Sequence, residues 1–159
     1  MMSSSKKTLA KFASLMLTLG MVASAHPVLA AGDCTKVRGT ESVVNNGDGT
    51  LSGTLTHGGR LNGTTHVVVT SAFTPTPDPN TFSFTDDFTL TTRKGVLVSH
   101  NVTLLDMANG LVTAIGQIDS SASTGEFAGA SGVVFINGTT EDGGATIQTR
   151  LTGEVCFAP

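Results

Sequence analysis

Along residues 81–92 apolar and polar side chains alternate. Phe82, Phe84, Phe88 and Leu90 fall on one parity, and Ser83, Thr85, Asp87, Thr89 and Thr91 on the other. A period of two is that of a half-buried β-strand. Read the same way, the chain predicts strands near 35–44, 49–57, 59–73, 81–92, 95–107, 111–120, 131–139 and 144–157. No stretch sustains a 3.6-residue period, and turn dipeptides recur between the strands. "NNGDG", "HGG", "RKG", "ANG" and "EDGG" all carry hairpin chemistry. Two longer connections interrupt the rhythm. "TPTPDPN" (74–80) is proline-spaced and is expected to join no ladder. "SSASTGEFAGA" (120–130) is small and flexible, with Phe127 as its one anchor. Eight strands joined mostly by short turns predict an all-β, antiparallel up-and-down sheet, which at that strand number can close around side chains or one small ligand.

The end strands support closure. Cys34, Lys36 and Arg38 share one parity of the first strand, opposite Val37 and Val43. Cys156, Glu154 and Arg150 share one parity of the last, opposite Ile147, Leu151, Val155 and Phe157. Both cysteines therefore point outward. An antiparallel register that pairs Cys34 with Cys156 also sets Lys36 opposite Glu154, so a disulfide and an opposite-charge pair agree. An even cysteine count in an exported chain reads as a disulfide; the alternative is two unrelated buried thiols.

Export is itself an expectation from the first thirty residues. "MMSSSKK" is basic, "FASLMLTLGMVA" is apolar, and "HPVLAAGD" supplies small residues for cleavage near Ala30 or, alternatively, Ala25. That pattern is a secretory signal, too short to span a bilayer. A lipid anchor at "AAGDC" is a minor alternative, because Asp33 is the wrong residue before Cys34. The expected product is a single domain, residues 31–159, secreted or periplasmic. Loss of Lys6, Lys7 and Lys11 leaves six basic residues against twelve acidic ones. With a formal charge of −6 and no basic cluster in the sequence, nucleic acid and stable membrane insertion are not expected. The absence of Trp and Tyr lowers the expectation of a protein hot spot or a sugar-stacking platform.

One carboxylate breaks the alternation. Asp86 sits in the apolar row between Phe84 and Phe88. If "RKG" is a three-residue loop with Gly95 left-handed, Thr92 pairs with Val96. Phe84 then faces Leu104, Phe88 faces His100, Leu90 faces Val98, and Asp86 lies opposite Val102 and diagonal to His100. A two-residue turn would set Phe84 against Thr103 and Phe88 against Ser99, so matching apolar to apolar selects the longer loop. Asp86 and His100 then both point inward. The next turn, with Asn109-Gly110 as a type I′ pair, brings Gln117 and Asp119 to that face, and Glu41 is inward on the first strand. Asp86, His100, Glu41, Gln117, Phe84 and Phe88 are thus the candidate ligand-binding residues. Asp86 and His100 are also the weak catalytic candidates, since a His–carboxylate couple suits acid–base work near neutral pH. The alternatives are that these groups merely satisfy one another, or that Asp86 turns outward at a bulge.

Other motifs carry less. "VNNGDGT" lacks the acids of an EF-hand loop, having Val44 and Leu55 where it needs them. His57, His66 and His100 show no metal spacing, and no metal or cofactor is expected. No G-x-S-x-G elbow is present. Asn62, Asn101 and Asn137 begin N-x-T sequons that matter only in a glycosylating host.

"STGEFAGASGVVFINGTT" (123–140) resembles the G-x-G-x-F-x-G-A-x-G segment of the allene oxide cyclase and dirigent barrels. "GTLSGTLTHGGRLNGTT" and "TRLTGEVCF" look like small exported bacterial members of that superfamily. The resemblance covers nearly the whole of residues 31–159 and rests on glycine placement: Gly125, Phe127, Gly129, Ala130 and Gly132 are the matching positions. It implies an eight-stranded calycin-like barrel and, from characterised relatives, cyclisation or coupling of small organic molecules in the lumen. The catalytic residues of the plant cyclases have no counterpart that can be placed here. Three functions follow in order: binding of a small, largely apolar molecule in the lumen; a structural or surface barrel with a filled core; and a cofactor-independent cyclase or isomerase.

Overall fold

A computed structural model of the chain describes residues 33–159; the expected leader and its cleavage site near Ala30 lie outside the described residues. The chain forms β1 (Cys34–Asn45), β2 (Thr50–Thr56), β3 (Gly63–Val69), β4 (Thr74–Pro75), β5 (Thr81–Thr92), β6 (Gly95–Asp106), β7 (Leu111–Ile118), β8 (Ser131–Glu141) and β9 (Thr146–Cys156). Each consecutive pair of long strands is antiparallel, β3 pairs with β5, and β1 pairs with β9. The sheet is therefore a closed eight-stranded antiparallel barrel without a free edge. Among the described residues no helix is long and apolar enough to cross a membrane.

The closing seam runs from Cys34–Cys156 to Val44–Thr146, with Lys36 opposite Glu154. Cys34 and Cys156 are joined as a disulfide. Two details depart from expectation. The third strand is shorter than 59–73, because His57 and Gly59 adopt positive φ and wind Gly59–Leu61 into a 3₁₀ turn that buries Leu61. The proline-rich loop does touch the sheet: Thr74 and Pro75 pair with Ser83 and Phe82. Pro75 is tolerated there because β4, which continues the line of β3 along the same side of β5, pairs with no strand on its far side.

The two ends of the barrel differ. One end holds the connection 57–62, the turn 93–94, the long loop 119–130 and both cysteines. Here Leu55, Leu61, Phe88, Leu90, Leu97, Phe127, Leu151 and Val155 are essentially inaccessible and form the core. Each such side chain contributes about 1.5–3 kcal/mol by leaving water. Phe127 enters from the loop, as expected of its one anchor, and meets Phe157 at 6.0 Å between ring centroids. The glycines that carry the family resemblance place it: Gly125, Gly129 and Gly132 all have positive φ, a conformation that costs a side-chain-bearing residue energy. The opposite end is ringed by the connections 46–49, 70–80, 107–110 and 142–145, and is open.

An open apolar cup above a buried polar belt

The turn between β5 and β6 decides the site. Thr92 pairs with Gly95, so the loop is the two residues Arg93 and Lys94, not three. This corrects the expected register by one position, and a one-residue slip exchanges faces. Phe84 lies opposite Thr103, Phe88 opposite Ser99, and Asp86 opposite Asn101. Asp86 points inward as expected, at 4 % exposure, but His100 does not. His100 is on the outer wall, opposite Asp87 and Gln117, and Gln117 is likewise exposed. The turn after β6 also differs: Asp106 pairs with Leu111 across four residues. The proposed Asp86–His100 couple is therefore not formed, and Gln117 is no lumen residue.

The physical reason is the carboxylate itself. Apolar matching set Asp86 against Val102, which offers it no donor. In the observed register the Asn101 amide donates to Asp86 Oδ1 at 2.7 Å and the Thr103 hydroxyl donates to Oδ2 at 2.5 Å. The Ser99 hydroxyl in turn donates to Asn101 Oδ1 at 3.0 Å. Room for the Asn101 amide comes from Gly116, its partner on β7: a Cβ there would sit 2.1 Å from Asn101 Oδ1. Val102 and Leu104 are consigned to the outer wall.

Glu41, also inward, completes a belt across the lumen. It is 3 % exposed and accepts a hydrogen bond from Thr149 at 2.9 Å on Oε2. Its Oε1 and the buried Thr65 hydroxyl have no hydrogen-bond partner. Burial pushes the Glu41 carboxyl above the usual range against the nearby Thr65 and Thr149 hydroxyls, and the charge of Asp86 adds to the rise. Burial raises Asp86 as well, opposed by its bonds to Thr103 and Asn101. Both shifts favour the fold below the ordinary carboxylate range, and that contribution is lost as pH rises through the folded values. Glu41→Gln keeps an acceptor for Thr149 and offers Thr65 a donor. In melts from about pH 4 to 9 the variant is expected to gain on the parent as pH rises from the ordinary carboxylate range to the raised folded value, and to level off above it. A difference that stays flat across the range refutes the assignment.

Above the belt lies the cup. Along β5 the inward row runs from Phe82 and Phe84, which line the opening, to Asp86 and then to Phe88 in the core. The cavity is about 620 Å³, walled by Leu51, Val69, Leu105, Val112 and Ile147 as well as the two phenylalanines. Phe73, on the loop 70–80, packs against Phe84 at 4.5 Å between ring centroids, the rings tilted by 42°, and is half exposed, so it forms part of the rim. No charged side chain lines the cavity; Asn45 and Thr140 are its polar side chains. Of the sequence-predicted ligand residues, Phe84 lines the cup, Asp86 and Glu41 lie in the belt, and Phe88 is core. The belt donors Asn101 and Thr103 were not anticipated, although they share the parity of Leu97 and an inward acid requires donors.

On the outside, His100 Nδ1 donates to Asp87 at 2.6 Å and Nε2 donates to Asp119 at 3.0 Å. These two bonds, Asp87 first, hold the imidazole protonated above its ordinary range. Asp119 also accepts from Ser121 and Ala122 and stays ionised well below the usual carboxylate range. The cluster fastens β5 and β6 to the start of the long loop, at an exposed site. No family model, curated protein or solved structure matches this chain.

Proposed function

We propose that the protein binds a small, neutral, largely apolar molecule in the cup at the open end of the barrel. The observation that carries this is a cavity of about 620 Å³ lined by aromatic and aliphatic side chains and by no charge. Such volume and lining match small-molecule sites, in which apolar walls supply affinity and a few polar groups supply orientation. A filled structural barrel would have no such opening. The allene oxide cyclase and dirigent resemblance agrees with a lumen ligand. Its catalytic side finds less support, because an acid–base group must touch the reacting molecule. Asp86 and Glu41 lie in the belt and are not among the residues lining the cup, while His100 faces solvent. Export to the periplasm or the cell exterior fits the disulfide.

The neutral apolar fluorophore N-phenyl-1-naphthylamine tests the reading. Saturable one-site binding is expected. Phe84→Ala should weaken it roughly tenfold, the equivalent of about 1.4 kcal/mol of lost apolar contact. Val112→Trp, which fills the cup, should abolish it. Unchanged binding by the filled variant would place the ligand elsewhere and overturn the assignment.

A further inference from the structure

At the closed end, the wall of β2, β3 and β5 carries an open groove of about 770 Å³. The sequence has no basic run, yet the fold gathers Arg60, Arg93 and Lys94 there, three of the six basic residues of 31–159. No acidic side chain lines the groove. Lys94 reaches Glu126 at 3.1 Å, whereas among the described residues Arg60 and Arg93 meet no carboxylate within ion-pair distance. The Arg60 guanidinium is held over the buried ring of Phe157, 5.2 Å from its centroid. The floor is polar as well. The register row Thr54–Thr64–Thr91 crosses the three strands, and Thr56 and Asn62 follow one row nearer the end. All five are exposed. Asn62 Oδ1 accepts from the Gly58 amide at 2.7 Å, which leaves the Asn62 amide hydrogens to donate. Threonine suits an exposed strand for its own sake. Three cations gathered on a chain of net charge −6 do not follow from strand preference, and their mutual repulsion is what a bound anion would offset.

We propose that this groove is a second binding site, for an oxyanion-bearing saccharide. Guanidinium forks take carboxylate or sulfate oxygens. The threonine hydroxyls and the Asn62 amide match the hydroxyls of a sugar. Three neighbouring strands span about 10 Å, the reach of a disaccharide. The lining turns away two other kinds of anion. It holds no aromatic ring on which a nucleobase could stack. Its one apolar side chain, Leu55, is buried and has nothing to insert into a lipid surface. Without a stacking ring, affinity rests on charge and hydrogen bonds, so binding is weak and falls with added salt.

Titration calorimetry of the purified protein at low salt decides the matter, with tetragalacturonate and a carrageenan tetrasaccharide as acidic probes and maltotetraose as the neutral control. Saturable binding of at least one acidic probe is expected, and none of maltotetraose. Arg93→Ala, in an exposed turn, should weaken it about tenfold through loss of a charged donor. Arg93→Lys should recover only part of that, since an ammonium lacks the fork. Thr64→Val keeps the strand and should weaken binding about threefold, the loss of one neutral hydrogen bond. Failure of both acidic probes to bind at millimolar concentration overturns the proposal. So does binding that Arg93→Ala leaves unchanged with native circular dichroism, equal binding of maltotetraose, or tighter binding of an oligothymidylate. None of these results bears on the cup, which opens at the opposite end of the barrel.

Discussion

Asp86→Ala is expected to lower stability by about 3 kcal/mol, a drop of roughly 10 °C in melting temperature for a domain of this size. The loss does not come from a vanished attraction. It comes from leaving the Asn101 amide and the Thr103 hydroxyl, both buried, with donors aimed at nothing. Each stranded donor is buried and carries its desolvation cost of about 1–3 kcal/mol. A second measurement separates this account from simple cavity formation. In a background of Asn101→Ala and Thr103→Val the donors are already gone, and Asp86→Ala should then cost about 2 kcal/mol less. Equal cost in both backgrounds would show that packing volume, not hydrogen bonding, explains the residue. Gly116→Ala should imitate part of the loss, since the new methyl displaces the Asn101 side chain.

Cys34→Ser with Cys156→Ser is expected to cost more, about 5 kcal/mol in the chain-entropy model. The bond spans 122 positions of sequence, so the unfolded chain without it gains nearly the full freedom of an open polymer. It also fastens the one seam of the barrel that joins strands remote in sequence, β1 and β9. Every other pairing of long strands is between neighbours in the chain, for which closure entropy is small. Denaturant titration of oxidised and reduced protein measures the difference. A loss under about 1 kcal/mol would mean that the β1–β9 ladder alone holds the seam. By contrast, Lys36→Ala, opposite Glu154 on the exposed wall, should change stability by less than about 0.5 kcal/mol.

These two results bear on the cup as well as on stability. A lumen site must be kept open at one end while the wall stays rigid, and the barrel divides that labour by level. The apolar plug around Phe127 seals one end, the Asp86–Glu41 belt braces the middle, and the loops at the far end leave the cavity accessible. The belt carries a cost in buried acids that an all-apolar filling would avoid. It lies between the cup and the apolar core and contributes no side chain to the lining of the cup.

Much of this architecture was legible in residue order. Alternation in Phe82–Leu90, the turn dipeptides and the parity of Cys34 and Cys156 sufficed for an eight-strand meander closed in one register, because each signal is local or is reinforced by a covalent bond. The inward placement of Asp86 and Glu41 was legible for the same reason, since parity within a strand is local. What the residue order did not determine was which neighbour each inward side chain meets. That depends on one residue more or less in the Arg93–Lys94 turn, and apolar matching chose wrongly because β6 carries its apolar row, Val98, Val102 and Leu104, away from the lumen. Only the assembled barrel could settle it: a buried carboxylate needs donors more than its neighbours need apolar contacts, and Asn101 and Thr103 supply them only in the register that turns His100 out to solvent.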